Sequence, residues 1–404
     1  MVPRKSLAAA AALALTLTAC GGSKDGGDSS EKVDSLTVLD YYSDEPTKTQ
    51  VGDMLTQCGT SIGVAKIDHQ SVPGPTLIQK VLQQASSKTL PDVLMLDNPD
   101  IQQIAATGAL APLEDYGIRA DGYAPGPVSA ATYQNKLYAL QPIANTIAIF
   151  YDKDMLAEAG VQPPQTWDEL KAAAKKLTKS GRYGFAFNAT ADYEGAWQFL
   201  PAMWTNGGDE TNLKTPEVAG ALQLWKDLVD DGSASKSVVN WSQGDVNDQF
   251  IAHKAAMMLN GPWQIPSLDK AKINYGVVPF PVNQSGQTSI APLGGEAWTV
   301  PLTASEARMA KAAELVKCMN SDENQLKRAK DGGLVPTKLA LAGQFKTEVP
   351  KMAGFVDAVA TARARTGKLG EKWPDTAKVI YTGMQQVLTG QSAPADAMAK
   401  AGAN

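Results

Sequence analysis

A chain of 404 residues, 44% hydrophobic and 20% charged, is a globular protein too long for one ordinary hydrophobic core, so two lobes are the natural expectation. A formal charge of −5 gives no electrostatic footprint for a nucleic-acid partner. With two histidines far apart in sequence and no paired C-x-x-C, no metal and no other cofactor is expected.

At the N-terminus, Arg4 and Lys5 precede an apolar stretch over residues 7–17, and the chain then reads Leu17-Thr18-Ala19-Cys20. This is the build of an export signal whose small-residue cleavage site lies directly before a cysteine. The apolar stretch is shorter than the about 18 residues a membrane span needs. Leu-Thr-Ala-Cys resembles the bacterial lipobox, which implies that residues 1–19 are removed and that lipidated Cys20 anchors the chain to the outer face of the cytoplasmic membrane. Residues 20–35, rich in Gly, Ser and charge, suit a flexible tether. Cys58 and Cys318 remain. An oxidising compartment allows them to pair, two separate buried thiols are the alternative, and the sequence leaves both open.

Along the rest of the chain short apolar strands alternate with amphipathic helices, the order of an α/β protein with largely parallel sheets. Residues 36–40 read as the first strand, followed by a helix with Val51, Met54 and Leu55 on one face. Leu77, Ile78, Val81, Leu82 and Ala85 mark a second helix feeding a strand over residues 92–96. Thr166-Trp167-Asp168-Glu169 is a capping box, and Leu170, Ala173, Ala174 and Leu177 continue its helix. Thr215-Pro216 opens another helix, with Val218, Ala221, Leu222, Trp225, Leu228 and Val229 on one side. Thr303-Ala304-Ser305-Glu306 reads as a further capping box.

Catalytic spacings are absent: there is no H-E-x-x-H, G-x-S-x-G, P-loop or G-x-G-x-x-G, and no catalytic residue is assigned. A solvated or capping role suits His69 and His253 best. A glycoside hydrolase needs only two carboxylates about 5 to 9.5 Å apart, which 42 acids leave open. Binding leaves clearer traces. In open α/β sheets ligands sit beyond the carboxyl ends of strands, where this chain places Tyr41 and Tyr42, Asp97 and Asn98, Asn188, and Asn260. Trp197, Trp204, Trp241, Trp263, Trp298 and Trp373 fall near Gly, Asn, Gln or Pro, whereas Trp167 and Trp225 sit on helices and read as packing. Indole faces beside amides and carboxylates are what a pyranose needs, with C–H groups on the ring and hydroxyls on the polar groups.

These pieces carry a resemblance. Lys136-Leu137-Tyr138-Ala139-Leu140-Gln141-Pro142, Pro163-Pro164-Gln165-Thr166-Trp167, Ala256-Met257-Met258-Leu259-Asn260-Gly261-Pro262-Trp263, Leu293-Gly294-Gly295-Glu296-Ala297-Trp298 and Gly333-Leu334-Val335-Pro336-Thr337 occur in the order of the extracytoplasmic solute-binding proteins of carbohydrate ABC importers. The chain is most similar to their maltose and maltodextrin-binding type. The resemblance implies a two-lobe, type II periplasmic-binding-protein fold with the ligand cleft between the lobes. Residues 36–142 plus 282–332 would form one lobe and residues 143–281 plus 333–404 the other, with crossings near residues 142–145, 280–282 and 332–335. It also implies stacking by Trp263, by Trp197 nine residues before Asn206, and by Trp373, with Asn145 near a first-crossing carboxylate and Gly295 and Glu296 beside the cleft. The Asp97-Asn98-Pro99-Asp100 stretch departs from the maltodextrin pattern. The implied role is a monomeric, lipid-anchored receptor that is not an enzyme and delivers a mono- or oligosaccharide to an ABC permease. Another polar solute, a glycerol phosphate ester or a polyamine, is the alternative, and a surface-anchored hydrolase a more distant one.

Overall fold

A computed structural model describes residues 32–403 of the chain. Cys20, the signal over residues 1–19 and nearly all of the tether lie outside the described residues. Val33 is already buried and Ser35 opens the first strand, so the folded body starts slightly earlier than residue 36. Among the described residues no helix is long and apolar enough to cross a membrane.

The first lobe is built on a five-stranded sheet with spatial order Lys66–Ser71, Ser35–Asp40, Val93–Asp97, Glu296–Thr299, Ala139–Leu140. Its first three strands are parallel, and Glu296–Thr299 runs antiparallel to both neighbours. Leu36, Val38, Val93, Leu94, Met95 and Leu96 are buried on this sheet against helices Thr47–Ser61 and Glu306–Met319. Cys58 and Cys318 form a disulfide between those two helices, with their Cα atoms 5.7 Å apart.

In the second lobe Tyr275–Val278, Ala148–Asp152 and Met257–Asn260 form an antiparallel sheet. Among the described residues parallel pairing there is reduced to isolated bridges, such as Tyr183 with Ala255, Ala186 with Met258 and Thr166 with Val282, so the expectation of largely parallel sheets fails in this lobe. Its core surrounds Trp225, which stacks on Phe187 with centroids 4.2 Å apart. The Thr166–Glu169 capping box forms as expected, whereas Ser305, not Thr303, caps Glu306–Met319. The difference lies in register: the Ser305 hydroxyl meets the Arg308 amide, while Thr303 accepts from the Ser305 amide. Neither histidine is left to solvent alone, since His69 Nε2 lies 2.7 Å from buried Asp40 and His253 Nδ1 lies 3.1 Å from Asp152.

The crossings meet at one seam. Ile143–Ala144 pairs antiparallel with Val335–Pro336, and Asn145 bridges Gly294 beside them. The crossing anticipated at residues 280–282 is displaced to this point. Phe280 is buried in the second lobe's core, Pro281 accepts from the Trp167 indole at 3.0 Å, and Val282 bridges Thr166, so the chain stays with that lobe until Leu293.

Candidate functional site

The strand register assembles the floor of the cleft. Glu296 begins an antiparallel strand opposite Asp97, the last residue of its own strand, so two carboxylates share one sheet edge. Tyr41 and Tyr42, directly after the first strand, both donate their hydroxyls to Glu296, Tyr42 at 2.9 Å. Burial raises the Glu296 carboxyl above its ordinary range, and the two phenols partly offset this. Burial likewise raises Asp97, with Arg365 pulling the other way.

The second lobe supplies the facing wall. Trp197 lies on helix Tyr193–Thr205 and Trp263 on the short turn Pro262–Gln264; their rings stack at 5.8 Å with an interplanar angle of 26°. Gly261 permits this, because a Cβ there would lie 1.9 Å from the Trp263 ring. Asn260 shapes the same turn by accepting from the Gly261 amide at 2.9 Å and donating to the Gln243 carbonyl at 2.9 Å. At Gly294 a Cβ would fall 2.0 Å from Asn145 Oδ1 and 2.8 Å from Trp197, so the seam approaches the site closely only as glycine. Arg365 reaches across from the second lobe: its Nη2 donates to Asn98 at 3.0 Å and lies 3.4 Å from the Asp97 carboxylate, with the guanidinium 5.7 Å from the Trp197 ring centre.

Between these walls lies a cavity of about 190 Å³, bounded by Tyr41, Asp97, Asn145, Trp197, Trp263, Gly295 and Glu296 together with Tyr193, Glu194, Gln243, Gly294 and Arg365. A second space of about 270 Å³ continues it past Tyr42 and Arg328, sharing Tyr41, Asn145, Trp263 and Glu296. A larger groove of about 910 Å³ at the lobe junction is lined by exposed charges such as Asp121, Lys368 and Glu371, and lacks both stacked indoles and buried carboxylates. Among the described residues no cluster of side chains is arranged to hold a metal ion.

Several residues anticipated at the cleft lie elsewhere. Trp298 points into the first lobe's core and Trp373 is fully enclosed in the second lobe's, because each sits on the apolar face of its element. Trp241 packs edge-on against Tyr183 at 6.4 Å, outside the cavity. Trp204 is buried with its indole N–H on Glu210 at 2.8 Å. Asn206 caps its helix and bonds the Glu217 carbonyl and Asn283, each at 2.7 Å. Asn98, Asn188 and Asn260 are buried behind the wall and orient groups that line it. Sequence reasoning missed Tyr193, Glu194, Gln243 and Arg365, of which only Asp192-Tyr193-Glu194, a helix start near Trp197, left a signal.

A family profile described as bacterial extracellular solute-binding protein matches residues 54–354. A maltooligosaccharide ABC transporter solute-binding lipoprotein of Streptococcus pneumoniae is 26% identical over 320 residues, 73% of this chain and 71% of the relative. Among solved structures, the GacH receptor of Streptomyces glaucescens, studied unliganded and with acarbose, is 28% identical with a TM-score of 0.78, covering 92% of this chain and 97% of its own. Maltose-bound MalE3 of T. maritima shares the fold with a TM-score of 0.81 at 24% identity, covering 91% and 98%. The two-lobe architecture and the length of the profile match agree: this chain belongs to the bacterial extracellular solute-binding proteins.

Proposed function

We propose that this protein is the lipid-anchored receptor of an ABC importer and that it binds a short saccharide between its lobes. The observation that carries the reading is the convergence, in one interlobe cavity, of stacked Trp197 and Trp263 with the hydrogen-bonding groups of Tyr41, Asp97, Asn145, Glu194 and Glu296. Sugar C–H faces stack on indole while hydroxyls bond the carboxylates and amides, and a site built for hydroxyls discriminates against ligands lacking them. The names of its relatives, among them a galactooligosaccharide-binding protein of Bacillus subtilis, support the same ligand class. A volume of about 190 Å³ is about six water volumes and favours a ligand of one or two sugar rings. Anchoring rests on Leu17-Thr18-Ala19-Cys20, and delivery to a permease rests on the family.

A hydrolytic role fits less well. Glu296 accepts from two phenols and Asp97 faces a guanidinium, so neither is placed as a free nucleophile to work with Glu194, the third acid of the cavity, and neither histidine lines it. Thermal unfolding measured against saccharides, phosphoesters and polyamines tests the reading. A ligand at about 100 times its Kd adds about 2.7 kcal/mol of stability. The expected result is a shift with at least one saccharide and no cleavage product after chromatography; shifts confined to phosphoesters would refute it.

A further inference from the structure

The charge around the cavity separates the ligands it can hold. Its walls carry Asp97, Glu194 and Glu296 against one cation, Arg365. That cation is already engaged: it is 4% exposed, donates to Asn98 and faces both oxygens of Asp97. Glu296 is held by the hydroxyls of Tyr41 and Tyr42. Glu194 has no comparable partner. It accepts from the Asn188 amide at 3.4 Å and from the Gln243 backbone, and among the described residues it makes no ion pair. The start of its helix is capped by Asp192, which accepts from the Gly195 amide at 3.1 Å. Although its side chain is open to solvent at the cleft, the surrounding protein and the charges of Asp192 and Asp97 lift its carboxyl to about 6. At neutral pH it is still ionised and faces the cavity uncompensated.

Enclosing an unpaired carboxylate costs free energy, which a cationic ligand offsets and an anionic one increases. The indole faces that suit a sugar ring also attract a cation. We propose that the cleft selects its saccharide by charge: it binds an amine-bearing sugar in preference to the neutral counterpart and rejects the uronate, with Glu194 reading the amine. The ring part of this inference rests on the saccharide reading above; the charge part rests on the walls alone.

Calorimetry on the full chain with glucosamine, glucose and glucuronate, and with the disaccharides built from each, tests it. Glucosamine is expected to bind about tenfold more tightly than glucose, and glucuronate about tenfold more weakly or not at all. In Glu194→Gln the ratio between glucosamine and glucose should fall to within about threefold, whatever the absolute affinities become. Glucuronate binding as well as glucose, or Glu194→Gln keeping the full amine preference, overturns the proposal. Spermidine binding in place of every sugar would remove the saccharide reading and leave charge selection standing, whereas glycerol 3-phosphate binding above all amines would overturn charge selection.

Discussion

Trp263 and Trp197 offer similar faces to the cavity but differ in what else they hold. Trp263 is half-buried on a short turn, whereas Trp197 is 6% exposed and continuous with the second lobe's core. Trp263→Ala should therefore weaken saccharide binding by about tenfold or more with little change in denaturation midpoint, since a stacking contact is worth about 1 kcal/mol beyond its buried area. Trp197→Ala should lose affinity and also about 3 to 5 kcal/mol of stability, the usual cost of emptying a buried aromatic site. Calorimetry paired with urea unfolding separates the two effects, and an unaltered affinity in Trp263→Ala removes that ring from the site. Asp100 makes a different kind of residue-level prediction. It is 8% exposed, and its Oδ1 has no hydrogen-bond partner. Burial, with Asp97 adding and Arg365 subtracting, pushes its carboxyl up to about 7. The unfolded chain releases this proton near pH 4, so the folded state pays nothing below that point and an increasing penalty as pH rises through 7. Asp100→Asn should exceed the wild type in unfolding free energy by about 2 to 4 kcal/mol at pH 8 and match it near pH 4; equal stability at both values would contradict this.

At the scale of elements, the disulfide is the clearest lever. It ties helix Thr47–Ser61 to helix Glu306–Met319 across 260 residues of chain. A closed loop of that size restricts the unfolded ensemble by up to about 5 kcal/mol in the chain-entropy picture. Replacing both cysteines with alanine should lower the melting temperature markedly while leaving the saccharide Kd nearly unaltered, because neither helix lines the cavity between the indoles and the acids, and only Thr47, the first residue of one helix, borders the space that continues it. The elements themselves were largely legible. Apolar residues spaced at 3.6 intervals, the Thr166–Glu169 box and the Thr215-Pro216 start marked helices that form where the pattern puts them. Strand direction in the second lobe was not legible, because it depends on the path the chain takes through three crossings. The same limit applies to the site. Tyr41, Asp97 and Glu296 could be read from strand ends and motif order, whereas Arg365 enters from a loop far along the chain whose position is fixed only by tertiary contacts. The Arg363 guanidinium beside it packs 4.6 Å from the Trp204 ring centre and pairs with buried Glu210, which anchors that loop to its lobe. Trp298 and Trp373 show the converse, since a glycine or proline nearby in sequence says nothing about which face of a strand or helix an indole takes.

For the whole molecule, the decisive feature is that the two walls of the cavity belong to different lobes while all three crossings run along one seam. Tyr41, Asp97 and Glu296 come from the first sheet; Glu194, Trp197 and Trp263 come from the second lobe. A ligand that touches both walls binds the closed arrangement more tightly than the open one, and it shifts the balance only by that difference. The seam is narrow: two residues of Ile143–Ala144 face two of Val335–Pro336, next to a glycine pair in which Gly295 holds a φ of 115° that other residues rarely adopt. Rotation about such a seam changes few packed contacts, so closure can be driven by the ligand's own contact energy. Hydrogen exchange with and without saturating saccharide should then slow together at residues 41–42, at residues 295–296 and along helix Tyr193–Thr205, and small-angle scattering should report a smaller radius of gyration. Glu296→Gln, which weakens the first lobe's grip on a hydroxyl while leaving both indoles, should reduce that contraction at equal occupancy. Protection limited to the tryptophan-bearing lobe would mean that the ligand rests on one wall, and the coupling between binding and closure would fall with it.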